Sequence, residues 1–86
     1  MIVRVFTLKN GLEVLNDVIA IRIKSKEYNL LILKDCVSLL GAIDGQLEIE
    51  FEDETKKYEN VKASFMNDHN IFSIIFDEGY NDWLFF

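Results

Sequence analysis

Proline is absent from this chain of 86 residues, cysteine and histidine occur once each, and cations are scarce. Each shortage removes a class of protein. Without proline there is no polyproline-type spacer, and no low-complexity tract, linker or internal repeat divides the chain. A lone Cys36 makes no internal disulfide, so nothing staples the fold covalently and a reducing compartment is expected. Nine Lys and Arg against fifteen Asp and Glu leave a net charge of −6, the wrong sign for binding a nucleic-acid backbone. The longest apolar runs, Leu30 to Leu33 and Ile71 to Phe76, fall far short of the roughly 20 residues of a membrane-spanning helix, so no direct membrane insertion is expected. The opening Met1-Ile2-Val3-Arg4 turns polar by Lys9-Asn10-Gly11 without the pattern of a secretion signal, and a cytoplasmic location is expected.

Half the residues are hydrophobic and 13% are aromatic, enough to bury the one small core that a chain of this length encloses. The dominant period is two. Ile19, Ile21 and Ile23 alternate with Ala20, Arg22 and Lys24, and Leu47, Ile49 and Phe51 alternate with Glu48, Glu50 and Glu52, as in half-buried strands. Turn formers punctuate these runs at Asn10-Gly11, Asn16-Asp17, Asp44-Gly45, Asp53-Glu54-Thr55, Asn67-Asp68-His69-Asn70 and Glu78-Gly79. Lys57 to Val61, Ala63 to Met66 and Ile71 to Phe76 read as strands between them. Only Asp35 to Ala42 departs from the rhythm, fitting a short helical turn or an irregular crossover. The pattern predicts an all-β fold, an antiparallel β-sandwich of about eight to ten short strands.

Charge is uneven: residues 1–43 carry net +2 and residues 44–86 carry net −8, a polarity suited to orienting a docking partner. Catalytic constellations are missing. Cys36 and His69 are the sole nucleophile and imidazole, and His69 sits among turn formers, where a solvated hairpin tip is the simpler reading. One Cys and one His do not make a structural zinc site. Glu48, Glu50 and Glu52, with Asp53 and Glu54 beyond them, lack calcium-loop spacing and read as a solubilising outer face. No phosphate-binding loop, dinucleotide fingerprint or nucleophile elbow occurs. Neither catalysis nor a cofactor is expected. The tail 80–86 concentrates Tyr80, Trp83, Phe85 and Phe86, either as a last piece of the sandwich or as an anchor on a partner.

The stretch Ala20-Ile21-Arg22-Ile23-Lys24-Ser25-Lys26-Glu27-Tyr28-Asn29-Leu30-Leu31-Ile32-Leu33 resembles the epsilon subunit of F-type ATP synthases, which has an alternating strand, a Glu-Gly-Glu turn and a strand of the Leu/Phe-Gly-Ile-Leu kind. Asp35-Cys36-Val37-Ser38-Leu39 occupies the place of that family's Asn/Gly-His-Ala-Pro-Leu. Leu40 to Ile49 looks like its Leu-Thr-Ala-Leu-Lys-Pro-Gly-x-Leu-x-Ile. Val61 to Phe65 and Ile71 to Asp77 stand for its later strands, and Val5-Phe6-Thr7 for its first. The pattern covers roughly residues 3–78 while several diagnostic residues differ: Cys36 and Ser38 replace His and Pro, Tyr28 and Asn29 replace Gly and Glu, and Ala63 and Ser64 replace paired glycines.

The resemblance implies a ten-stranded amino-terminal β-sandwich over residues 1–79 that acts as a rotor component of the central stalk, packed on a gamma-like shaft and seated on the membrane ring. By the same resemblance, Glu27, Tyr28 and Asn29 would face the ring, and Asp35, Cys36, Val37 and Ser38, continuing to Leu40, would lie toward the shaft. Burial of Val37, Leu39 and Leu40 in the sandwich itself competes with that assignment. The family's carboxy-terminal helical hairpin has no counterpart in these residues, so no nucleotide binding is expected, and Trp83, Phe85 and Phe86 would substitute as an anchor. Such a protein would sit at the membrane peripherally, through its complex. A second reading is a free-standing acidic β-sandwich that binds or inhibits another protein, supported by the net charge and by Glu48 to Glu54.

Overall fold

The computed structural model describes residues 1–77, which form seven strands and no helix. These are β1 (Ile2–Thr7), β2 (Gly11–Leu15), β3 (Val18–Ser25), β4 (Asn29–Leu33), β5 (Leu39–Phe51), β6 (Thr55–Asp68) and β7 (Ile71–Phe76). They hydrogen-bond into one sheet in the order β2-β1-β7-β6-β5-β3-β4. All neighbours are antiparallel except β1 and β7, which run parallel with Val3 beside Phe72 and Val5 beside Ile74.

The all-β class is the expected one, and two details differ from the sequence reading. One strand pair is parallel. The count among the described residues is seven, because runs that read as separate strands are continuous. Lys57 to Val61 and Ala63 to Met66 are two parts of β6, and Asp44-Gly45 lies inside β5 instead of forming a hairpin turn. Asp35 to Ala42 is an irregular crossover that becomes β5 at Leu39, with no helical turn.

Chain reach shows how this sheet folds. Leu33 ends β4 beside Ala20, and Ala20 lies beside Glu50 of β5. Along a straight strand the stretch from Leu39 to Glu50 would measure about 36 Å, whereas the crossover 34–38 reaches roughly 20 Å at most. β5 therefore bends back on itself. The corner is built from a bulge: Gly45 faces Val61 and Leu47 faces Tyr58, so Gln46 meets both Glu59 and Asn60, and Asn60 takes the left-handed conformation with φ 54°. Gly45 is required there because a methyl group at that position would run into the Lys24 carbonyl.

Strands that change layer through such a bend turn one sheet into a two-layer sandwich. One layer holds β2, β1, β7 and residues 61–68 of β6 with 39–45 of β5. The other holds 55–58 of β6, 46–51 of β5, β3 and β4. Their inner faces share a single core in which Val3, Val5, Phe72 and Ile74 of the first layer join Ile21, Ile23, Ile32, Leu47 and Ile49 of the second. Phe65 stacks on Phe72 at 5.4 Å, and Tyr58 meets Phe76 edge to face at 6.1 Å. The Met1 amine donates to the Val18 carbonyl (2.8 Å), and the Val18 N–H returns a bond to the Met1 carbonyl (3.2 Å). This contact draws together β1 and β3, which lie well apart in the strand order, while β2 and β4 remain as free edges. Among the described residues no helix is long and apolar enough to cross a membrane.

Candidate functional site

The crossover 34–38 is held by side chains, without a strand ladder. Three of its residues bind the tip of the β6–β7 hairpin. The Asp35 N–H donates to Asn70 Oδ1 (2.6 Å), and Asn70 Nδ2 donates to Asp35 Oδ1 (3.1 Å). Ser38 Oγ donates to Asp68 Oδ1 (2.7 Å), and Asn67 Nδ2 donates to the Val37 carbonyl (3.3 Å). The tip itself is a tight two-residue turn in which His69 and Asn70 both have positive φ, 48° and 64°. This string, read as a solvated tip, is thus a clamp: His69 is open to solvent, but Asn67 is buried at 2% exposure.

Asp68 is the electrostatic centre of the clamp. The Ser38 hydroxyl foremost, and then His69, whose Nδ1 stands 2.8 Å from the same oxygen, hold its carboxyl below the ordinary carboxylate range. Among the described residues no hydrogen bond joins Cys36 to His69, and Cys36 packs against the core. A nucleophile–base pair needs that bond.

The β3–β4 turn caps a different part of β5. Residues 39–44 of β5 extend past the end of β3 and would leave an open edge. Tyr28 Oη donates to the Ala42 carbonyl, the Lys26 N–H donates to the Asp44 carbonyl (3.0 Å), and the Asp44 N–H donates to Ser25 Oγ (3.0 Å). Burial raises the Tyr28 hydroxyl above its ordinary pKa. Burial, with help from Glu13, does the same for Tyr58. Gly41 lies under this cap, where a methyl group would come within 2.7 Å of the Phe65 ring. The residues read as two sites, Glu27 to Asn29 and Asp35 to Ser38, are therefore brought to the two ends of one short stretch of β5, Leu39 to Ala42.

Val37 and Leu40 do not enter the core; they are 71% and 79% exposed, and only Leu39 packs inward. Leu40 belongs to a larger surface. Residues in register share a face, and on the outside of the first layer Leu12, Phe6, Ile75, Ser64 and Ala42 form one row across five strands. Val14, Arg4, Ser73, Met66 and Leu40 form the next. Leu12, Phe6, Ile75, Val14, Met66 and Leu40 are all exposed. Apolar residues on both faces are the mark of strands covered on both sides. The runs Ile2 to Leu8 and Ile71 to Phe76 carry that signal in the sequence, where it reads simply as strand.

The outside of the second layer is of another kind. Arg22 lies beside Glu48 in register and 3.8 Å from Glu50, and Lys57 faces Glu48 across β5 and β6. The acidic strand is thus matched by cations. Glu52 lies beyond β5 in the following turn. Among the described residues no group of three potential metal ligands converges. A cleft of about 1060 Å3 opens between Met1, Asp17, Val18, Lys34, Phe51 and Asp53. Trp83, Phe85 and Phe86 lie outside the described residues.

The described residues thus form a two-layer sandwich with one apolar and one ion-paired outer face. Among solved structures the chain is similar to a chain in the cryo-electron-microscopy structure of the central stalk and c-ring of Tetrahymena thermophila mitochondrial ATP synthase, with a TM-score of 0.74 at 19% identity. The match covers 91% of this chain and 63% of that one, so this chain spans less than two thirds of its neighbour's length. No protein-family model and no curated protein matches. The likeness is one of fold.

Proposed function

We propose that this chain is a non-catalytic rotor subunit in the central stalk of an F-type or F-type-like rotary ATPase, coupling a gamma-like shaft to the membrane ring. The observation that carries the reading is the uncovered apolar face of the first layer, because strands apolar on both sides are built to be covered twice. Its fold is that of a chain in a central stalk and c-ring assembly, which supports the choice of partner. Val37 and Leu40 carry this face to the crossover Asp35 to Ser38, and that edge lies toward the shaft. Glu27, Tyr28 and Asn29, at the β3–β4 tip, lie toward the ring. Residues 1–79 are the sandwich, and Trp83, Phe85 and Phe86 in the tail 80–86 serve as an additional anchor.

The protein is then no enzyme, needs no cofactor, and is held at the membrane peripherally by its complex. An acidic inhibitor gains little support, since Glu48 and Glu50 face Arg22 and Lys57. Affinity purification of the tagged chain from its native cells tests the proposal. Recovery of ATPase shaft and head subunits supports it, and recovery of a nuclease or another basic protein in their place refutes it. Deleting residues 83–86 should weaken recovery while leaving the far-UV spectrum unchanged.

A further inference from the structure

Arg4 is the single charged residue in the two rows that cross the outer face of the first layer, from Leu12 to Ala42 and from Val14 to Leu40. Its surroundings are apolar. Val14 lies beside it on β2 at about 5 Å, and Ile2 and Phe6 flank it on the same face of β1, each about 7 Å away. All four residues are exposed. Among the described residues no ion pair or hydrogen bond engages the Arg4 guanidinium. The carboxylate in the neighbouring row, Asp68, stands two strands from β1 and is already held by Ser38 and His69. On the second layer, by contrast, Arg22 stands 3.8 Å from Glu50.

An apolar partner laid over these rows takes water away from the guanidinium, and a desolvated cation without a counter-charge opposes docking. The planar fork of arginine is matched best by a carboxylate, which it meets with two parallel hydrogen bonds. We propose that the stalk subunit covering this face presents an apolar surface with one carboxylate, an Asp or Glu, set opposite Arg4. The inference rests on the stalk reading for the identity of the partner and on the face itself for the partner's chemistry. Leu40 lies three strands from Arg4 along the same row, about 14 Å away. An ion pair at one end and an apolar contact at the other fix the orientation in which the partner docks.

A photo-crosslinking residue substituted for Phe6 in the assembled complex, with sequencing of the linked peptide, tests the pairing. The linked segment should belong to a stalk subunit and hold an Asp or Glu among apolar residues. Arg4→Met keeps the apolar stem and should weaken capture of that subunit about 30-fold or more, the effect of leaving a buried carboxylate unpaired. Its far-UV spectrum should be unchanged. Lys57→Met removes the same charge from the ion-paired face and should leave capture as it is. Arg4→Glu should abolish capture, and changing the partner's acidic residue to Arg should restore it. A link to an acidic and apolar segment of a protein outside the rotary ATPase would refute the stalk reading and support the pairing. No link from Phe6, a linked segment without Asp or Glu, a loss below about fivefold for Arg4→Met, as at a solvated rim, or failure of the rescue would overturn the pairing.

Discussion

Asp35 and Asn70 grip each other in both directions, main-chain N–H to side-chain oxygen at 2.6 Å and side-chain amide to carboxylate at 3.1 Å, and each has a φ of 64°. Two residues in left-handed conformations thus join the crossover to the β6–β7 turn. Asn tolerates that conformation because its short side chain bonds locally, and here the same side chain fastens the crossover. Asn70→Gly removes the grip alone and should cost about 1 kcal/mol. Asn70→Ala adds the left-handed strain and should cost about 2–3 kcal/mol. Urea unfolding of both variants measures the difference.

The clamp also sets an acid sensitivity. The folded Asp68 carboxyl titrates below its unfolded value, because Ser38 and His69 hold the ionised form. Its contribution is therefore complete above the ordinary carboxylate value of about 4 and is lost as pH falls from there to the depressed folded value. The native chain should be more stable than Asp68→Asn at neutral pH, and that advantage should disappear at the acid end. Ser38→Ala should shrink the same advantage. Urea midpoints taken across the acid range give the curve, and a constant gap between native chain and variant contradicts it.

Gly45 makes the corner where β5 passes between layers. Gly45→Ala forces a methyl group against the Lys24 carbonyl and should destabilise by about 1–3 kcal/mol. Asn60→Gly on the opposite strand keeps the left-handed bulge and should cost much less. Thermal unfolding of the two variants compares the two sides of the corner.

The core prediction is larger. Phe72 is fully buried and stacked on Phe65. Phe72→Ala should cost about 3–5 kcal/mol, a large share of the 5–15 kcal/mol that holds an ordinary domain together. Equilibrium denaturation followed by far-UV signal checks this.

What the sequence reveals follows from what each residue responds to. Local alternation in Ile21 to Lys24 and Leu47 to Glu50 reports a half-buried strand directly, whereas a bulge between Val18 and Ala20 leaves Ile19 exposed and Ala20 buried, against the expected alternation. Asn10-Gly11 marks the turn between the paired strands β1 and β2, while Asn16-Asp17 joins β2 to β3, which do not pair; Gly11 and Asp17 both have positive φ. Asp44-Gly45 misleads because the bend it makes lies within a strand and is fixed by the distant Lys24 carbonyl. The parallel pairing of β1 and β7 joins the two ends of the described chain, and no local pattern encodes it. In the crossover, Asp35, Val37 and Ser38 are singled out by resemblance alone, and their contacts with Asn67, Asp68 and Asn70, which look like loop residues in the sequence, emerge only when the crossover is laid beside the β6–β7 turn. The apolar face is legible only when Phe6, Leu12, Leu40, Met66 and Ile75 are set in register, since each alone is an ordinary exposed hydrophobe.

The central claim is that the outer face of the first layer docks on the stalk shaft. A photo-crosslinking residue substituted for Leu40 on that face, or for Lys57 on the ion-paired face, tests it in the assembled complex. The stalk account expects the Leu40 probe to link to the shaft subunit and the Lys57 probe to leave that subunit unlabelled. A shaft crosslink from Lys57 alone, or no ATPase subunit linked at Leu40, would contradict it.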